Sequence, residues 1–548
     1  MRPRLLLMAG LLVAALPAGL GGQALPVGDL LEEYLRALEL LGKAPPGAVT
    51  VRPAPVWVGQ VPGDTVRHPW QRWLRRDRGE GEGGDGPRGS LDPVGVRTSW
   101  NSEIPFGWND GAVWRGVGAT VAVEGGATGS WGPLSVTVRP TLIYNQNASM
   151  GLVPVSRPGA TRYGYPWRRI DLPQRFGPDP FWTLDPGQTM VRLTWRGISA
   201  GFGTENLWWG PGTENAILMS NNAAGFPHAS LATGRPVNVG IGTLEAQWIW
   251  GRLGASDWAD DVTGLLDNYA LSDTRFITGA VWAFKPRGLE EVTLGAGRVF
   301  TLMVPRGGMG VGDYFLIFQR GTKDNFVSES NPGGEDLRNQ MLSLFARWAR
   351  PGSGFEAYVE WARDDHALDF KQVLLEPAHS QGFTLGFRQA KPLSGDRFLS
   401  FHGEVTTLER GETAKLYDLT SWYENWSVPT GHTQKGQLLG AHVGPGGNGQ
   451  FLAADLFAPW GRAGVFLRRR VWDNDAYWKR AAAEELGICC HDVSITGGAR
   501  SLILLDDMAV GVEGSVTRAY NRLAAWRDIW NVGLAVSLTQ RRRFAPEP

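Results

Sequence analysis

Phe355-Glu356-Ala357-Tyr358-Val359-Glu360-Trp361-Ala362 alternates without a break. Phe355, Ala357, Val359 and Trp361 fall on one face of an extended chain, and Glu356, Tyr358 and Glu360 fall on the other. The same period of two runs through 188–196, where Val191, Leu193 and Trp195 oppose Arg192, Thr194 and Arg196. In 399–407, Phe401 and Val405 oppose His402 and Glu404. In 507–517, Met508, Val510, Val512 and Val516 oppose Ala509, Glu513 and Ser515, and in 531–538, Val532, Leu534, Val536 and Leu538 oppose Asn531 and Ser537. From residue 92 onward there are about 18 such segments, each near the ~10-residue length of a membrane strand.

A soluble sandwich also alternates, but here the connections alternate too. Short turns at 196–197, 285–288, 351–354 and 391–396 separate long connections at 205–236, 254–274, 301–338, 363–381 and 408–435. Outer-membrane barrels pair short periplasmic turns with long outer loops in this way. The polar face carries Glu356, Glu360, Arg192, Arg196, His402 and Glu404, too many charges for a dry core. It suits a lumen holding water or inward-folded loops. The predicted fold is therefore all-β: a transmembrane antiparallel barrel with a loop-plugged lumen and a small N-terminal periplasmic helical segment.

The rest of the chain is consistent with export. Arg2 and Arg4 precede an apolar run at 5–16, and Gly22 and Ala24 stand at plausible cleavage positions. This reads as a signal peptide at 1–24, with an apolar run too short for a membrane span. Residues 25–91 form a helical segment and linker, and 92–548 the barrel. The helix is expected over 29–41, capped by Asp29 and ended by Gly42, with Leu30, Leu31, Tyr34, Leu35, Leu38 and Leu41 on one face. A second short helix is expected near 70–76, and a Gly-rich charged linker over 78–89.

The 54 Lys plus Arg balance 54 Asp plus Glu, which argues against a nucleic-acid surface. The 74 Gly disfavour long helices and suit tight turns and crowded strands. The 25 Trp suit a membrane interface or stacking on sugars. The two cysteines, Cys489 and Cys490, are adjacent, a spacing that seldom bridges without strain. No His or Cys cluster at ligand spacing surrounds them, so neither a metal nor a cofactor is expected.

Four stretches resemble the Wzi family of capsule assembly proteins. They are Glu32-Glu33-Tyr34-Leu35-Arg36-Ala37-Leu38; Trp100-Asn101-Ser102 through Pro105, Gly107, Asn109-Asp110-Gly111 and Trp114; Glu205-Asn206-Leu207-Trp208-Trp209-Gly210-Pro211-Gly212 with Leu218-Met219-Ser220-Asn221-Asn222-Ala223; and Glu360-Trp361-Ala362-Arg363-Asp364-Asp365 with Leu375-Glu376-Pro377 and His379-Ser380. The likeness spans residues 29 to 450, and the third stretch is the most specific. It implies a barrel of about 18 strands with a periplasmic helical bundle at its N-terminus, a lumen closed by loops, and a lectin-like role in holding capsular polysaccharide. The C-terminus departs from the pattern of barrels that end on an aromatic strand residue, since Phe544 is followed by Ala-Pro-Glu-Pro.

Candidate binding residues follow from chemistry. Trp208 and Trp209 can stack on sugar rings, and Glu205, Asn206, Asn221 and Asn222 can hydrogen-bond hydroxyls. Equally, the whole 205–223 stretch can fold inward as a plug with its indoles buried. Asp364, Asp365 and Glu360 form the densest carboxylate group. Such groups hydrolyse glycosides only at a defined separation, and Arg363 beside them suits an ion pair, so a structural role is expected over Ca²⁺ binding or catalysis. Gly197-Ile198-Ser199-Ala200-Gly201 matches a nucleophile elbow, but it joins two strands rather than a strand and a helix. His402-Gly403-Glu404 lacks the Cys pair of a zinc deaminase.

The function read from the sequence is non-catalytic binding and anchoring of capsular polysaccharide or exopolysaccharide at the outer membrane. A porin or solute channel is the alternative, and a barrel hydrolase a third. Expected partners are the polysaccharide, outer-membrane lipid and capsule export machinery, with a monomeric barrel and no nucleic acid.

Overall fold

The computed structural model describes residues 24–29, 31–44, 47, 49–55, 70, 87–319, 337–364, 370–411, 420–482, 490–522 and 527–540. The expected leader before Ala24, the rest of the 70–76 helix, most of the 78–89 linker, Asp365, Cys489 and Phe544 lie outside the described residues.

Among the described residues eighteen antiparallel strands close into a barrel when pieces interrupted by a bulge are counted once. In chain order they are β1 (Arg88–Leu91 with Val94–Asn101), β2 (Gly118–Glu124 with Ala127–Trp131), β3 (Leu134–Val138 with Thr141–Asn145), β4 (Phe181–Asp185 with Met190–Trp195), β5 (Ile198–Gly203) and β6 (His228–Thr233). Then follow β7 (Gly242–Leu253), β8 (Leu271–Pro286), β9 (Val292–Pro305), β10 (Arg338–Arg350), β11 (Phe355–Asp364) and β12 (Gln381–Leu393). The last six are β13 (Arg397–Thr407), β14 (Asn448–Ala458), β15 (Gly461–Trp472), β16 (Asp492–Leu504), β17 (Met508–Tyr520) and β18 (Ile529–Gln540). Each strand pairs with its sequence neighbours, and β18 pairs with β1 from Gly533 opposite Asn101 to Gln540 opposite Val94, which closes the cylinder. Closure removes the unpaired edges that an open sheet would leave.

The alternation decides which side chain meets what. On β11, Glu356 and Glu360 are fully buried inside, whereas Val359 points outward. On β18, Trp530, Val532, Leu534, Val536 and Leu538 all point out. Outward indoles gather near both rims: Trp100, Trp182 and Trp530 at the long-loop end, Trp131, Trp195 and Trp348 at the short-turn end. This apolar wall between two aromatic girdles is the surface a bilayer requires. A helical segment, Val311–Phe318, lies against the outside of the wall. Trp250 Nε1 donates to the Tyr314 carbonyl (2.8 Å), and the outward Arg298 donates to the Ile317 carbonyl (3.0 Å), so that guanidinium does not face lipid alone.

Three further sequence expectations change. The barrel begins at Arg88, ahead of the expected boundary at residue 92. The long connection expected over 205–236 contains β6, whose one large outward side chain, Leu231, gives almost no period-two signal. Cys490 is disulfide-bonded, against the expectation that adjacent cysteines stay unbridged, and Cys489 is the chain's other cysteine.

The helical segment differs most. α1 (Glu32–Leu40) starts after Asp29, whose carboxylate accepts from the Leu31 N–H (3.0 Å), and it ends at Gly42 with φ +67°. It is not amphipathic in use: Tyr34, Ala37, Leu38 and Leu40 are buried, and so are Arg36 and Glu39. The reason is its seat in the short-turn mouth of the barrel. Tyr34 stacks on Trp70 (centroids 4.4 Å apart) and sits near Phe398 and Phe457 of the wall. The Leu40 carbonyl accepts from the N–H groups of Gly352 and Gly354 in the β10–β11 turn. Arg36 pairs with Glu356 (2.7 Å), Glu356 with Arg347 (2.8 Å), and Arg347 with Glu39 (2.9 Å). Among the described residues three further α-helices lie in the long connections: α2 (Thr263–Asn268), α3 (Phe370–Leu375) and α4 (Asn474–Ala482).

Glu356 is therefore fully buried against Arg36 and Arg347, with Arg388 also 3.5 Å away. Glu356→Gln should cost about 3–5 kcal/mol, because it leaves buried cations uncompensated. The check is the temperature at which the detergent-solubilised barrel loses its compact gel mobility, which should fall well below that of the unmodified protein.

Candidate functional site

The 204–227 connection folds into the lumen and becomes its filling. Its carbonyls and N–H groups need partners there, and the inward strand residues supply them. The Glu404 carboxylate accepts from the N–H groups of Thr213 (2.8 Å), Glu214 (3.2 Å) and Asn215 (2.7 Å) and from the Tyr358 hydroxyl (2.7 Å). Glu360 accepts from the Ile217 N–H (3.3 Å). Gly210 adopts φ +112° beside that carboxylate, and a Cβ there would stand 3.0 Å from Glu360 Oε2, so both the backbone and the space require glycine.

The residues singled out in this stretch are thereby accounted for. Trp208 and Trp209 are almost wholly buried (2% and 1% exposed) and pair as a two-residue strand with Val51 and Arg52. The Trp208 N–H donates to the Gly212 carbonyl (3.1 Å), and the Arg52 guanidinium covers its ring at 4.5 Å. The Trp209 N–H donates to Gln247 (2.8 Å). Of the two roles weighed for these indoles, enclosure within the plug is the one found. Glu205 pairs with Arg192 (2.6 Å), and Asn206 donates to the Ala223 carbonyl (2.7 Å). Asp364 accepts from the Tyr423 N–H (2.9 Å), which ties the 420–447 connection to β11; Asp365 is outside the described residues. Ser199 lies buried in β5 beside Thr194, between two strands.

Asn221 and Asn222 lead elsewhere. Asn221 donates to the Asn109 carbonyl (2.9 Å), and Asn222 accepts from the Asn109 N–H (3.1 Å) and donates to the Gly440 carbonyl (2.8 Å). They hold down the 102–117 loop, and above them opens a cavity of about 190 Å³ at the long-loop end. Asn222 lines it, with Trp108, Trp114, Tyr165, His442, Trp472 and Tyr477 among the walls.

Each wall is fixed by its own anchor. The Trp108 backbone N–H donates to the Asp110 carboxylate (2.8 Å) and its indole N–H to the Glu214 carbonyl (3.2 Å), while its ring meets His442 (4.0 Å) and the Arg468 guanidinium (4.0 Å). Trp472 donates to Ser494 (3.0 Å), and its ring is contacted by the guanidinium groups of Arg470 (3.3 Å) and Arg522 (4.3 Å). Asp473, at φ +36°, accepts from the Ala476 N–H (3.1 Å) at the start of α4, which presents Tyr477. The Asp473 carboxylate also accepts from Tyr165 (2.8 Å) and Arg168 (2.5 Å). Burial together with Arg470 and Arg468 holds the His442 pKa well below the ordinary histidine range, so this ring is a neutral wall. Burial and the neighbouring Asp473 raise the Tyr165 hydroxyl well above its usual range, so it stays a donor.

Half-buried aromatic faces interleaved with fixed amide, imidazole and guanidinium groups suit a ligand with apolar faces and polar edges, as a pyranose ring has. With about 10–15 Å³ per water, the cavity exceeds the room for a dozen waters, and a hexose has about a dozen non-hydrogen atoms.

The comparisons with known proteins fit this architecture. The family model described as capsule assembly protein Wzi matches residues 102–457, well over half of the chain. The chain belongs to the Wzi capsule assembly family. A similar solved structure is that of Escherichia coli Wzi, described as an outer membrane protein involved in group 1 capsule assembly and a carbohydrate-binding β-barrel. It shares 12% identity at a TM-score of 0.58, over 95% of this chain and all of that one. Pseudomonas aeruginosa OccK2 in complex with glucuronate aligns at 12% identity and TM-score 0.40, over 82% of this chain and 98% of that one. Acinetobacter baumannii OccAB3 aligns at 10% identity and TM-score 0.41, over the same shares. No curated protein matches the sequence.

Sequence reasoning named one wall of this cavity, Asn222, and missed the rest. Trp108 stood beside the Asn109-Asp110-Gly111 run that carries part of the family likeness. Arg468-Arg469-Arg470-Val471-Trp472 was a visible basic run ending on an aromatic residue. Neither run signals a site until the loops that carry them meet.

Two outcomes test the plug. Trp209→Ala should destabilise the barrel by about 3–5 kcal/mol and leave ligand retention by the folded fraction unchanged; thermal unfolding and retention assays on one preparation separate the two effects. His432 is fully buried, bonded to the Leu218 carbonyl (2.8 Å), and its pKa is pushed down by burial from 6.5 to about 4. The unfolded chain takes up this proton first, so stability should fall as pH drops from about 6.5 to about 4 and level off below. His432→Gln should flatten that part of the unfolding-temperature profile.

Proposed function

We propose that the protein sits in the outer membrane and binds capsular or related polysaccharide at the cell surface, anchoring it without cutting it. The observation that carries this reading is the aromatic-walled cavity at the long-loop end, built directly above a filled lumen. The carbohydrate binding and capsule assembly described for Escherichia coli Wzi, whose fold this chain shares, support it.

In this reading the long loops face outward and the short turns face the periplasm. The N-terminal segment then plugs the periplasmic mouth, after a leader at 1–24 is removed. The first barrel strand starts and the last one ends at the short-turn end, the arrangement of bacterial outer-membrane barrels. The site lies within one barrel, so the protein acts as a monomer, and capsule export machinery delivers the chain that it holds.

Two features favour binding over the other classes. The lumen is crossed by hydrogen-bonded and ion-paired chain from wall to wall, which a solute channel would lack. The carboxylates around the cavity are engaged: Asp110 with Arg115 (2.6 Å), Asp473 with Arg168 and Asp492 with Arg522 (2.7 Å). Carboxylates tied up in this way are not set as a free pair flanking a glycosidic bond.

Immobilised capsular polysaccharide should retain the refolded barrel, and the polymer should elute with its chain length unchanged. Tyr477→Ala and Trp108→Ala should each weaken retention about tenfold, the loss of an aromatic anchor. In planar bilayers the protein should carry almost no current. A large steady conductance without retention would replace this reading by the channel.

A further inference from the structure

Each carboxylate in the cavity lining is held by an arginine other than Arg470. Its lining contains three arginines, Arg115, Arg470 and Arg522, and three aspartates, Asp110, Asp473 and Asp492. Asp110 is taken by Arg115 and Arg97, at 2.6 and 2.9 Å. Asp492 is taken by Arg522. Asp473 is taken by Arg168, a fourth arginine behind the wall, through two contacts of 2.9 and 2.5 Å. Arg470 is left over. Among the described residues it has no ion-pair partner, although it is only 6% exposed. One terminal nitrogen donates to the Val443 carbonyl (3.2 Å), while its buried Nε has no hydrogen-bond partner.

An unpaired, buried guanidinium is expensive to keep. Its plane is fixed by contact with Trp472 at 3.3 Å from the ring centre. A guanidinium stacked by its face keeps its N–H groups in plane, where a carboxylate can meet them in parallel. His442 beside it is neutral and offers no counter-charge.

We propose that Arg470 is a specificity-determining residue, and that this cavity takes a pyranose carrying a carboxylate, such as a hexuronate unit of an acidic polysaccharide. The inference rests on the glycan-binding reading above and narrows its substrate class. The sugar ring lies among Trp108, Trp472 and Tyr477, and its carboxylate supplies the anion that Arg470 lacks. Binding gives that guanidinium a direct ion-pair partner, so neutral polymers of the same skeleton leave it unpaired and bind less well.

The test uses the full-length barrel in detergent at physiological salt, with a set of uronate-containing bacterial exopolysaccharides, each immobilised beside its carboxyl-reduced form. The acidic form should be retained about tenfold more tightly or better, the scale of a charge-assisted hydrogen bond. Arg470→Gln should bring retention of the acidic form down to that of its reduced form, and Arg470→Lys should restore part of the difference. The comparison of the two polymer forms on the unmodified protein stands even if Arg470→Gln folds poorly. Equal retention of both forms overturns this inference and leaves glycan binding intact. Failure to retain either form overturns both.

Discussion

Closing a sheet into a cylinder gives every strand a face that lipid never touches, and this chain loads that face with charge. The charges have to be answered across the lumen. Glu356 shows the solution: Arg347, on the neighbouring strand β10, meets it from the wall, and Arg36 meets it from a helix that enters through the short-turn mouth. Glu39 on the same helix returns to Arg347. Helix and wall are thus stitched by buried ion pairs that neither could afford to hold alone. Glu404 and Glu360 do the same for the inserted loop by accepting its backbone N–H groups.

This interior also explains how the most specific stretch of sequence acts. Its tryptophans do not reach outward. They pack the loop beneath the cavity, and Asn221 and Asn222 at its far end fasten the 102–117 loop. Glu214 pairs with Arg468 (2.7 Å), whose guanidinium lies against Trp108. Burial raises the Glu214 pKa against the pull of that arginine. The plug is the floor on which the cavity's aromatic walls stand, and of the 204–227 residues only Asn222 lines the cavity.

Much of the barrel was legible because its cause is local. A strand with lipid on one side and lumen on the other must alternate, and β4, β11, β13, β17 and β18 do so plainly. The reading failed where that cause was diluted. β6 offers one large apolar side chain, and α1 reads as amphipathic although it is enclosed on all sides. Arg36 and Glu39 look like a solvated face until the mouth of the barrel surrounds them. The cavity was barely legible at all, since Trp108, His442, Arg470 and Tyr477 come from separate connections and are joined only by closure.

Local sequence settled the period of the strands, the alternation of short and long connections, and the presence of one N-terminal helix, since each depends on neighbours a few residues apart. Tertiary structure decided which loops turn inward, which arginine finds no carboxylate, and where aromatic faces stay open. Those outcomes depend on distances across a lumen, between residues hundreds of positions apart, and no local pattern encodes them.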